Sequence, residues 1–166
     1  MKNRFALFSV RFLTVLLAGL FLLLLRSAGS NPVFAALTPR FASPWELGKL
    51  LFWPLLLAAV IPLRDGGKFS ERLPWLTLTP LAAVLIFWAM TVVRPGPGAY
   101  LLVWIVLSAM ALAMAQRGIL TKGDRSIWMV LAVAMGILYI MMTFLPPAFG
   151  PFLDPADVAA MATIPC

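Results

Sequence analysis

The residues best placed to do chemistry in this chain stand in one short run, Trp45-Glu46-Leu47-Gly48-Lys49-Leu50-Leu51-Phe52-Trp53-Pro54. Glu46 and Lys49 are three apart, so on a helix they share a face and can pair. A carboxylate at the mouth of a membrane helix can carry a proton or bind a cation, with Lys49 tuning its charge, and it is costly there unless paired or wet. The plainer and preferred reading is an interfacial salt bridge, with Trp45 as a belt residue. Arg26, Arg40 and Arg94 are expected on the same side as Glu46, Asp154 and Asp157. They can dock the first loop and the tail, bind an anionic headgroup or substrate, or snorkel to lipid phosphates, and the last is preferred. The candidate cluster is therefore Arg26, Trp45, Glu46, Lys49, Arg94 and Asp154.

Other chemistry is largely excluded. The chain has no His and one Cys, Cys166. That removes histidine-based zinc and haem ligation, Ser-His-Asp and Cys-His catalysis, and any intrachain disulfide. Met129, Met135, Met141 and Met142 read as packing rather than as soft-metal ligands. No metal and no cofactor is expected, and no catalytic set is visible. Glu46 or Asp154 could act as a general acid or base only with a partner group.

The elements that position these residues follow from composition. Of 166 residues, 63% are hydrophobic and 11% charged, against about 45–50% and about 25% in soluble domains. Such a chain belongs in a bilayer, where only helices and closed barrels satisfy the backbone. Its apolar runs are continuous rather than alternating, which selects helices. Five spans are expected in a single membrane domain, at about 5–25, 45–63, 73–93, 99–116 and 127–145. In the first, the charge-free part is only Phe12 to Leu25, so Arg11 should lie just inside and snorkel. Turns are marked by Asp65-Gly66-Gly67, Arg94-Pro95-Gly96-Pro97-Gly98, Gly118 and Pro146-Pro147. Asp154 and Pro155 should start a short interfacial helix over 155–163. The spacings Ala109…Ala113 and Ala132…Gly136 suit close helix packing and are weak support for an oligomer.

Nine of the thirteen basic residues fall on one side: Lys2, Arg4, Arg11, Arg64, Lys68, Arg72, Arg117, Lys122 and Arg125. That side should be cytoplasmic, with the N-terminus inside and the C-terminus outside. The net charge of +7 is then mainly a topology signal, and short loops do not make a nucleic-acid site. The start of the chain also imitates a secretory signal peptide, with Val33-Phe34-Ala35 as its cleavage segment. Against cleavage, Arg26 closes the apolar run and Ala35 lies far beyond it. The outer loop, Ser27 to Pro44, and the tail, Pro146 to Cys166, are apolar enough to lie on the membrane or fold over the helix ends.

Three stretches then carry a resemblance. They are Asn31-Pro32-Val33 with Thr38-Pro39, Trp45-Glu46 with Lys49-Leu50-Leu51-Phe52-Trp53-Pro54, and Thr143-Phe144-Leu145-Pro146-Pro147 with Pro151-Phe152-Leu153-Asp154-Pro155. Together they resemble a family of small multi-pass bacterial membrane proteins of unknown function, in the same order over most of the chain. In that pattern a polar Asn-Glu-Ser segment precedes Trp-Glu-His, and Tyr-Pro-Pro…Asp-Pro follows the last helix. Here Phe41-Ala42-Ser43-Pro44 replaces the polar segment and Leu47 stands where the pattern has His. The resemblance implies a bacterial inner-membrane protein and no activity. The leading expectation is a non-enzymatic component that binds a protein partner or membrane lipid through its outer face. The rival is a small oligomeric transporter or channel subunit, with Glu46, Tyr139 and Thr143 as a polar path between protomers.

Overall fold

A computed structural model describes residues 2–25, 32–39, 43–61, 69, 72–94, 96–117, 125–147 and 149–153. Arg26, Arg40, Asp154, Asp157, the turn at Asp65 and the expected helix over 155–163 lie outside the described residues. Among the described residues six helices form: α1 (Lys2–Leu25), α2 (Pro32–Leu37), α3 (Pro44–Val60), α4 (Leu73–Val93), α5 (Pro97–Gln116) and α6 (Arg125–Phe144), followed by a 3-10 turn, Gly150–Phe152. The protein is an all-α, multi-pass membrane protein, with no strand among the described residues. Among the described residues four helices, α1, α4, α5 and α6, are long and apolar enough to cross a membrane. Between 17% and 39% of the most apolar window of each is buried. Leu17, Leu85, Val130 and Val133 face outward, as lipid solvation requires.

The architecture turns on α3. It is the shortest of the five long helices, at 17 residues, yet twelve of them are buried. It packs against α1, α4, α5, α6 and the 3-10 turn. Its start is set locally. Ser43 is the N-cap, its Oγ accepting from the Glu46 N–H at 3.3 Å, and Pro44 occupies the first turn, where no N–H is needed. Its far end is held from the next helix, since Arg72 Nη1 donates to the Ala59 carbonyl at 2.8 Å. A cation there suits the unpaired carbonyls of a helix C-terminus.

Inside α3, Pro54 lacks the N–H that would bond to the Leu50 carbonyl. Trp104 of α5 supplies the missing donor, its Nε1–H reaching that carbonyl at 2.9 Å. The indole lies against Gly19 of α1, where an added Cβ would overlap its six-membered ring. One glycine, one tryptophan and one proline thus tie α1, α5 and α3 together. Trp104→Phe keeps most of the ring and removes the donor. It is expected to lower stability by about 1–3 kcal/mol, read as a lower melting temperature in detergent. An equal drop in Trp88→Phe, which alters an exposed indole, would contradict the account.

Three local expectations change. The second span was expected over 45–63, whereas α3 runs Pro44–Val60. Arg11 was expected to reach the surface, but it is 3% exposed. It lies beside a small cavity with Ala58, Ala59, Ala111 and Ala115, where small side chains leave room for its long stem. The first loop contains α2, which packs against α6 and is closed by Thr38, whose Oγ1 donates to the Phe34 carbonyl at 2.7 Å. The tight hairpin between α4 and α5 is built by Arg94, in the left-handed region at φ 50°, Gly96 as N-cap and Pro97 in the first turn.

Candidate functional site

The first two turns of α3 place Trp45, Glu46, Gly48 and Lys49 inside the bundle. Lys49 Nζ lies 2.7 Å from Glu46 Oε1 and 2.8 Å from Oε2. The same ammonium donates to Thr143 Oγ1 on α6. Thr143 in turn donates to the Tyr139 carbonyl, one turn back, at 2.7 Å. Lys49 is 0% and Glu46 2% exposed. The pair therefore forms, as its spacing predicts, but it is sealed in the protein and not at a wet interface.

Aromatic rings make the seal. Trp45 stands 4.7 Å from Tyr139 and 5.0 Å from Phe152 of the 3-10 turn, centroid to centroid. Phe52 closes the other side of Tyr139 at 5.2 Å. Phe149 meets Phe152 edge-on at 5.7 Å and is itself 65% exposed. A ladder of rings, Tyr139–Trp45–Phe152–Phe149, thus runs from beside the ion pair to the outside. Such tilted pairs each contribute about 0.5–1.5 kcal/mol beyond their buried area.

Gly48 lets α6 come close. A Cβ there would meet Tyr139 Oη at 2.5 Å and Val84 Cγ2 at 2.8 Å. Tyr139 is fully buried, and among the described residues its hydroxyl has no hydrogen-bond partner, nor has the indole N–H of Trp45. Among the described residues the site is an ion pair with a hydroxyl relay into a helix backbone, closed by rings. It can hold two helices in register.

Of the predicted cluster, the structure brings together Trp45, Glu46 and Lys49. Arg94 is exposed at the C-terminus of α4 and is not part of the buried group. Arg26 and Asp154 lie outside the described residues. Sequence reasoning did not assign Ser43, Gly48 and Phe152 to this cluster, and it set Tyr139 and Thr143 beside Glu46 only as a polar path between protomers, whereas here they meet the pair within one chain. Tyr139 and Thr143 carried a usable signal: two polar residues four apart on one face of an otherwise apolar helix. No protein-family model, no curated protein and no solved structure matches the chain.

Proposed function

We propose that the chain is a non-enzymatic membrane component that binds a partner or lipid through its outer face. In this reading α3 is a fifth, centrally placed span beside the four long helices, the basic-rich loops are cytoplasmic, and the Glu46 end of the bundle faces out. The observation that carries it is the ring ladder, which begins at a sealed ion pair and ends in the exposed Phe149 ring. A carboxylate that is 2% exposed and held by Lys49 is suited to holding structure, not to meeting a substrate. A large aromatic left outside is suited to contact, since aromatic anchors dominate interfaces.

A transporter would need Glu46, Tyr139 and Thr143 to face one another across protomers. They converge within one chain instead, which favours the binding reading. Phe149→Ser tests that reading, because an exposed ring can be removed with little change in stability. It should lower recovery of co-purified lipid or protein from mild detergent roughly tenfold, while stability falls by no more than the loss of one ring pair, about 0.5–1.5 kcal/mol. Unchanged recovery would count against an outer-face contact.

A further inference from the structure

A second feature lies on the other side of α3, between the ends of α1, α3, α4 and α5 that surround the α4–α5 hairpin. It is an open crevice of about 230 Å³. Leu20 and Leu23 of α1, Leu47 of α3, Phe87 of α4, and Leu101 and Trp104 of α5 line it. The Phe87 and Tyr100 rings, 5.9 Å apart, pin the hairpin beside it. We propose that a phospholipid binds here, with one acyl chain in the crevice and its phosphate on Arg94.

The lining is apolar, and apolar cavities of even about 150 Å³ stay dry and take up apolar guests. A helix from a second copy is about 10–12 Å across and too wide for this volume, whereas a flexible methylene chain fits it. Charge supplies the other half of the match. Arg94 is exposed and follows Phe87 by seven residues, so it stands roughly 10 Å further along α4. That puts Arg94 at the hairpin end of the crevice, within a side chain's reach of a phosphate joined to a buried acyl chain, and guanidinium groups bind phosphate oxygens in pairs. The inference names the lipid of the outer-face reading and rests on it. The two are tested on different residues, Phe149 there and Leu20, Leu101 and Arg94 here, so either can fail alone.

The test is native mass spectrometry of the full chain in detergent, titrated separately with dioleoylphosphatidylglycerol and with dioleoylglycerol, which lacks the phosphate. Wild type should retain one phosphatidylglycerol and prefer it to the diacylglycerol about tenfold. Leu20→Trp and Leu101→Trp fill the crevice from half-exposed positions and should lower retention about tenfold. Leu17→Trp, equally exposed but not part of the crevice lining, should retain lipid as wild type does. Arg94→Gln should erase the preference for the phosphate while leaving the diacylglycerol bound. Equal retention in Leu20→Trp, Leu101→Trp and Leu17→Trp would overturn the proposal. So would a wild type indifferent to the phosphate, or a dimer that excludes lipid.

Discussion

Lys49→Met should be among the most destabilising single substitutions in this protein, by about 3–5 kcal/mol. The ammonium is fully buried and lies within 2.8 Å of both Glu46 oxygens. Removing it leaves a carboxylate, 2% exposed, in a site walled by Trp45 and Tyr139. Methionine keeps the length and apolar stem of lysine, so packing changes little and the effect reports the lost charge and its hydrogen bond to Thr143. In a chain of this size the loss corresponds to a fall in melting temperature on the order of 10 °C. The double variant Glu46→Gln with Lys49→Met should recover part of it, because the carboxylate that loses the ammonium is then uncharged. Had the two residues formed a salt bridge on the membrane surface, the single substitution would cost about 0–1 kcal/mol. A thermal scan of the three variants in detergent therefore separates a buried lock from an interfacial pair, and a small loss in Lys49→Met would remove the lock.

The contrast shows what local sequence can carry. The Glu46–Lys49 spacing fixes their common face, and that pairing was legible, as was the break at Arg94-Pro95-Gly96-Pro97-Gly98, although Ser43-Pro44 and Pro97 start their helices one to two residues before the expected spans. Whether the pair is wet or sealed is tertiary. It depends on Phe152, more than a hundred residues on, lying against Trp45, and on α6 supplying Thr143. The make-up of α3, shorter than the other long helices and charged in its first turns, has a physical reason. A helix surrounded by other helices need not present a long apolar face to lipid, so it can be short and carry Glu46, Lys49 and Pro54. Arg11 illustrates the converse. Its charge suggested a path to the surface, but alanines on α3 and α5 leave space for it inside, and alanine spacing alone does not announce a guanidinium pocket.

Gly48 turns the same geometry into a second large expectation. A Cβ at this position would stand 2.5 Å from Tyr139 Oη, 2.8 Å from Val84 Cγ2 and 3.3 Å from Tyr139 Cζ. These contacts come from two different helices, α6 and α4, so α3 cannot relieve both by shifting one way. Gly48→Ala is expected to lower stability by about 1–3 kcal/mol through overpacking, although alanine is by itself the better helix former by about 1 kcal/mol. Tyr139→Phe supplies the control. Among the described residues the Tyr139 hydroxyl has no partner, so removing it takes away an unsatisfied buried polar group and should be neutral or mildly stabilising. It also removes the nearer of the two obstacles. The double variant should then be more stable than Gly48→Ala alone, with a coupling of about 0.5–3 kcal/mol between contacting sites. Strict additivity would mean that the hydroxyl does not press on Gly48. A large loss in Tyr139→Phe would mean that the hydroxyl has a bonding role, and would return Tyr139 to the list of functional groups. The sign of that single substitution thus distinguishes a ring that seals the ion pair from a hydroxyl that works with it.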